Sequence, residues 1–338
     1  MKKIFLFIIA LQVAAKLSAT TYIDYNRQVT TAESLFFVGQ FEAGFAKYMK
    51  IFDSYKPFAK DCFAAIQLSA MHRDTIFFNF FFAKGIENGL NWATLYKSKH
   101  VRQFLMENKG TVGHLEKIYL ERRQKYLQSI NRNIRDSIFL LRRRDDSGRR
   151  STKNKMVYSN YLYYIKDTVL DANIRILERI AKRVGFPGQR MIGIRDPEID
   201  NEKESPNLLE SIASVILYHH YCGFFLMKDE LYNGLLHGEI LPSEYALIYE
   251  WAYDSYNESK GALRGGNTRY IFDVKCEYPP QDKFYNNFLN SFFYCRDTTL
   301  VNNCRKEIGM ESIQHQLAKK KFAERNDLLL TSGIFNLY

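Results

Sequence analysis

Three groups of residues carry side chains able to do acid–base or anion chemistry. The pair His219-His220 follows Leu208, Leu209, Ile212, Val215 and Ile216, a three- and four-residue spacing that predicts a helix ending near Gly223. His219 then falls in the middle of the apolar face and His220 at its edge. Neighbouring residues on a helix point about 100° apart, so the two imidazoles do not easily chelate one metal. Imidazole titrates near neutrality, and His220 reads either as a buried, hydrogen-bonded histidine or as a general base. Carboxylates form the second group: Asp167 and Asp171 share a helix face, and Asp145-Asp146 stand beside Arg149. They offer proton transfer or cation binding, against the plain alternative of surface charge.

The third group is the run from Arg142 to Lys155, with seven positive and two negative charges. Arginine forks match phosphate oxygens, so the run suits a polyanion. It has no interleaved aromatics on which bases would stack, so nucleic acid is not expected. The reading is an exposed basic linker or loop over 142–160 that touches anionic lipid head groups through Arg142, Arg143, Arg144, Arg149 and Arg150. There is no Gly-rich phosphate loop, Gly-x-Ser-x-Gly elbow, dinucleotide fingerprint, Cys-x-x-Cys pair or His-Glu-x-x-His helix. No cofactor and no metal are therefore expected.

The elements that must position these residues begin after a leader. Lys2 and Lys3, the apolar run Ile4 to Ala15 and the small residues Leu17-Ser18-Ala19 read as a secretory signal peptide over 1–19, cleaved after Ala19. Periplasmic or secreted location follows, and no later segment is long and apolar enough to predict a transmembrane helix. Loss of Lys2, Lys3 and Lys16 takes the formal charge from +11 to +8. Export permits oxidation. Cys62 and Cys222 lie in apolar helical patterns, whereas Cys276, Cys295 and Cys304 cluster late in the chain, and a Cys276–Cys295 bridge is the first expectation.

With 46% hydrophobic residues, 15% aromatics and only 7 prolines in 338 residues, the chain predicts a mainly α fold with a sizeable core. Thr30 and Glu33 are spaced as a capping box, and Leu35, Val38, Phe41, Phe45, Tyr48 and Phe52 follow at helical intervals. Gly39-Gln40-Phe41 and Tyr48 recur as Arg73-Asp74-Thr75 and Phe82 at an offset of 34, as does Lys50 in Lys84. On these residues the stretch 30–92 resembles a tetratricopeptide array, with Gly39 at a turn, Gly44 at a close helix approach and bulky Phe78 in the place of that small residue. Helix is expected over Lys97 to Leu141, Leu162 to Val184, from Ser205-Pro206, from Lys228 to Gly238, from Pro242, and from Val301 past Phe322. The organisation read is a tetratricopeptide-like region over 20–141, the basic linker, and a helical domain over 161–338 with at most a small β-hairpin near 268–276.

The order Asp145-Asp146-Ser147-Gly148-Arg149, Asp171-Ala172-Asn173, Gly185-Phe186-Pro187, Ile192-Gly193, His219-His220, Ile240-Leu241-Pro242, Tyr245-Ala246 and Arg305 with Ile308-Gly309-Met310 resembles an uncharacterised bacterial family, one of the domain-of-unknown-function groups. Its pattern is Asp-Gln-x-x-Arg, Gly-Trp-Pro, Gln-His and a late Arg before Gly-Leu, and the likeness spans roughly 138–322. Asp146 and His219 replace glutamines of that pattern. The resemblance implies a clustered polar set of Asp145, Arg149, Asp171, Asn173, His220 and Arg305, and no reaction. Two functions follow. One is an exported helical binding protein for an unknown protein or peptide partner. The other is a hydrolytic or transfer enzyme, with His220 and Asp171 or Asp145 as acid and base, and with Arg149 and Arg305, beside Asn173, holding an anionic substrate.

Overall fold

The computed structural model describes residues 21–153, 171–200, 211–220, 223–249, 252 and 298–329, and among them the chain is mainly helical and contains no strand. α1 (Tyr22–Phe37) and α2 (Phe41–Ser54) form one hairpin, and α3 (Ala59–Met71) and α4 (Thr75–Glu87) the next. Their turns sit at Gly39 and Arg73, both in the left-handed region with φ of 77° and 57°. Asp74 caps α4 by accepting from the Phe77 amide at 2.9 Å. Small residues set the spacing: Gly44 lies against the Phe36 ring and Gly85 against Leu90 and Ile66, each too close for a Cβ. Phe78 instead fills its space by stacking on Phe104, with ring centroids 4.2 Å apart.

The first helix does not start at Thr30. It begins at Tyr22, and Thr30 bonds back to the Asn26 carbonyl at 3.0 Å, as mid-helix threonines do, while Glu33 turns toward the C-terminal helix. The helix expected over Lys97 to Leu141 is in fact several: after the short α5 (Trp92–Leu95) come α6 (Lys99–Glu107), a 3-10 turn at Lys109–Thr111, α7 (Val112–Ser129) and α8 (Arg132–Lys153).

α8 overturns the basic linker. Residues 142–153 are helical, because Ile134, Ile138 and Leu141 continue at the same spacing into buried Arg142 and Asp145, and arginine is a good helix former. Arg142 is buried with its Nε 3.7 Å from Asp146, so it leaves the proposed anionic contact, whereas Arg143 and Arg144 are exposed. Residues 154–160 lie outside the described residues. The boundary between cores falls earlier than 141, at Ile130-Asn131: α1 to α7 supply one apolar cluster, and α8 opens the second.

That second cluster is built by α8, α9 (Asp171–Val184), the short α10 (Gln189–Ile192) and, past the short α11 (Pro197–Asp200), by α12 (Ile212–His219), α13 (Gly223–Leu226), α14 (Lys228–His237), α15 over 242–249 and α16 (Thr298–Glu307). α17 (Ile313–Arg325) follows a break at Gly309, where φ is 75° and the Cα packs on the Ile23 backbone. The single late helix expected from Val301 is thus two. α14 and α17 both pack on α1, so the end of the chain closes on its beginning. Cys62 is a buried free thiol, and Cys304 is buried in the second cluster. The leader 1–19, the 268–276 hairpin and the Cys276–Cys295 bridge lie outside the described residues.

The two clusters are tied by Arg123 on α7 and Arg135 on α8, both buried. Arg135 grips Asp200 with Nε at 3.1 Å and Nη2 2.7 Å from each carboxylate oxygen. Arg123 pairs with Asp196, whose other oxygen accepts from Asn91 at 3.3 Å and whose amide donates to Asp200 at 2.8 Å. Removing one member of such a buried pair strands the other charge, which costs about 3–5 kcal/mol, whereas replacing both by apolar groups is often neutral. Arg135→Met should therefore lower the urea-derived unfolding free energy by about 3–5 kcal/mol, and Arg135→Met with Asp200→Leu should recover most of that loss. Equal losses in the single and double variants would disprove this account.

Candidate functional site

Four of the polar residues singled out in the sequence are buried: Asp145 on α8, Asn173 on α9, His220 directly after α12, and Arg305 on α16. α8, α9 and α12 pack on one another, which draws Asp145, Asn173 and His220 from distant sequence into one core. Asn173 donates to the Leu141 carbonyl at 3.0 Å and so ties α9 to α8. Arg305 donates to the Glu311 carbonyl at 3.2 Å and to Gln316 at 3.0 Å, fixing the corner between α16 and α17. His220 is 4% exposed. Asp171 is the first residue of α9, and Arg149 stands near the C-terminal end of α8. No set of three His, Cys, Asp or Glu side chains among the described residues comes together as metal ligands. No helix among them is long and apolar enough to cross a membrane.

A mixed arrangement of apolar and polar groups lies elsewhere, between the N-terminal hairpins and α17. A pocket that opens to solvent there is walled by Phe36, Phe37, Tyr48, Leu68 and Phe322. α3 is buried against its neighbours nearly all round and carries three buried polar side chains, Asp61, Gln67 and Ser69, of which Gln67 is 1% exposed. A buried carboxamide has to satisfy a donor and an acceptor at once. Gln67 does so on a single main-chain unit: Nε2 donates to the Leu329 carbonyl and Oε1 accepts from the Leu329 amide, each at 3.0 Å. This is the exchange by which one strand pairs with another, made here by a side chain toward the main chain of one residue.

The far end of the cavity is ionic. Glu33 on α1 pairs with Lys319, and with His315 at 3.0 Å, both on α17. Burial alone would raise the Glu33 carboxyl, but Lys319 and His315 outweigh it and hold the pKa at about 2. The same carboxylate drives the Lys319 ammonium well above its ordinary value despite burial. Phe37 adds ring contacts to His315 and Phe322 at 5.0 and 5.4 Å. The sequence reading missed Gln67, Glu33 and Lys319. A glutamine inside the apolar run Phe63 to Leu68 was the available signal.

A second buried carboxylate has the opposite balance. Glu244 accepts from the Ser211 amide at 3.0 Å and the Leu241 amide at 3.3 Å, capping α12 and α15 together. Burial pushes its pKa up to about 7, against those two amides and the charge of Lys60, which favour the carboxylate.

No family model, no curated protein and no solved structure matches this chain.

The two carboxylates act in separate pH windows. Glu33 is depressed when folded, so its contribution is complete above about pH 4.5 and is lost as pH falls toward 2. Glu244 is raised when folded, so its contribution is complete below about pH 4.5 and is lost as pH rises through about 7. Unfolding free energy from urea titrations should fall by about 3 kcal/mol between pH 5 and pH 8. Glu244→Gln should flatten that slope, whatever its absolute stability. A slope unchanged by the substitution would refute the assignment.

Proposed function

We propose that the protein is an exported helical binding protein whose N-terminal hairpins, closed by α17, hold an extended peptide segment with apolar side chains. The observation that carries this reading is the two-way bond from Gln67 to the Leu329 main chain. A pairing to backbone is indifferent to sequence, and the apolar walls formed by Phe36, Tyr48, Leu68 and Phe322 select for apolar side chains. Leu328 and Leu329 of the chain itself occupy the rim and show the geometry that a partner segment would copy. Helical hairpins suit such a role because they present their inner faces as one continuous surface.

The test uses a synthetic peptide of residues 328–338, labelled with a fluorophore, and the mature chain ending at Asp327. The peptide should bind saturably to that chain and far more weakly to the full-length mature protein, where the same residues compete from within. Gln67→Ala removes two hydrogen bonds of roughly 1 kcal/mol each and should weaken binding about tenfold or more, with helicity by circular dichroism retained. No saturable binding, or binding indifferent to Gln67, would overturn the proposal.

A further inference from the structure

The chain's own segment on the groove begins at a turn whose backbone conformation its residue does not favour. α17 ends in a Schellman motif: the Leu328 amide donates to the Ala323 carbonyl at 2.9 Å and the Asn326 amide to the Phe322 carbonyl at 3.2 Å, with Asp327 between them in the left-handed region at φ 52°. Glycine is the usual residue at that position, because a Cβ is crowded there and aspartate adopts the conformation only at some cost. We propose that the Lys99–Asp327 ion pair is the catch of an autoinhibitory strap: while it is closed Leu329 lies on Gln67, and when it opens the groove is free for a partner segment. This regulation rests on the binding function proposed above for the same groove.

The path of the strap is decided at Asp327. Leu328 and Leu329 reach α3 because the left-handed step reverses the chain at the end of α17. Any other backbone conformation at Asp327 carries them off and breaks both bonds between Gln67 and the Leu329 main chain. Two side chains of α6 hold the step. Lys99 Nζ lies 2.9 Å from Asp327 Oδ2, and His100 Nε2 donates to the Asn326 carbonyl at 2.6 Å. Lys99 beside it keeps the Asp327 carboxyl below the usual carboxylate range.

Exposure separates this contact from the rest of the α17 seating. The Lys99 and Asp327 side chains are 66% and 65% exposed, whereas Lys319 and Glu33 keep 23% and 8%. Salt therefore screens the first pair far more than the second. Leu329 is itself 43% exposed, so little apolar burial opposes its departure. The strap thus opens as a local event with α17 still clamped on α1. An exposed ion pair shifts such an equilibrium by up to about fivefold, and the apparent affinity of a competing segment scales with the open fraction. The catch is therefore a fine adjustment of access and not an on–off switch.

The experiment reads the opening directly, as hydrogen exchange of the Leu329 amide followed by NMR in the full-length mature protein, beside binding of the labelled 328–338 peptide to the same protein. Lys99→Met and Asp327→Asn each remove one charge, and asparagine keeps the tolerance for the left-handed turn. Both positions are exposed, and far-ultraviolet circular dichroism should be unchanged. At about 50 mM sodium chloride each variant should exchange Leu329 about two- to fivefold faster than the wild type, the double variant no faster than either single one, and the peptide should bind tighter by the same factor. At about 1 M sodium chloride, where screening acts within about 3 Å, the differences should shrink. Leu329 exchange unchanged by either variant, additive effects in the double variant, or a difference indifferent to salt overturns the catch and leaves the binding function standing. Faster exchange with no binding of the peptide supports the ion-pair catch and overturns the binding function.

Discussion

Arg123 and Arg135 rise from successive helices on either side of the core boundary, and both end on carboxylates of one short segment, Asp196 to Asp200. Much of the architecture follows from that constraint. A buried guanidinium cannot be left unpaired, so α7 and α8 have to present their arginines to the same place, and the segment from Gly193 to Asp200 has to thread between them. Gly193 makes the threading possible, since its left-handed φ and missing side chain let Ile192 and Ile194 face different clusters. The Arg135 guanidinium meets the Phe139 ring at 4.8 Å and Tyr119 donates to Glu198 at 2.9 Å, so aromatic rings flank the ionic seam, which reaches solvent at Glu198. A short polar strip thereby does what a continuous apolar core would otherwise have to do.

The second closure is at the chain ends. Glu33, Lys319 and His315 are separated by nearly the whole sequence and form one buried ionic contact at the seam of α1 and α17. It differs from the arginine seam in its balance. The attraction of Lys319 and His315 exceeds the cost of burying Glu33, which is why the acid is depressed, whereas burial prevails at Asp200 and raises it in spite of Arg135. Gly238 against the Tyr22 ring and Gly309 against the Ile23 backbone bring the remaining C-terminal elements onto α1. One N-terminal helix is therefore the common wall for elements encoded more than two hundred residues later.

The helical class and the hairpin turn at Gly39 were legible because apolar spacing and turn residues are local signals, whereas the left-handed turn at Arg73 carries no such residue. Gly44 was legible too, as a small residue at a close approach. The charge run at 142–155 misled because charge predicts solvent contact but says little about backbone: Arg142 and Asp145 extend the stripe begun by Ile134 and Ile138, and the helix itself runs on to Lys153. The Thr30–Glu33 spacing misled for a related reason, since a capping pattern in the middle of a helix is chemically identical to one at its start. The ionic seams were not legible at all. Asp196-Pro197-Glu198 reads locally as a helix start, with an acid before a proline, but nothing near it in sequence names Arg123 or Arg135 as its counter-charges. Gln67 and Leu329, 262 residues apart, are invisible to any periodicity for the same reason.

Gln67 also explains why the candidate groove belongs to the whole chain and not to the hairpins alone. On α3 by itself a buried carboxamide would be a liability of about 1–3 kcal/mol, tolerable only if a main-chain donor and acceptor lie opposite it. α17 delivers that backbone, because the Glu33–Lys319 contact sets its angle on α1 and the Asn326 turn directs Leu328 and Leu329 onto Gln67. The Lys99–Asp327 pair at 2.9 Å and the His100 bond to the Asn326 carbonyl at 2.6 Å hold that turn from the opposite side. The supply of backbone is thus controlled at the turn, while the demand for it is fixed in the core. Under the proposed binding function, a partner segment has to displace Leu329 from Gln67, so the strength of this internal contact sets the threshold for binding.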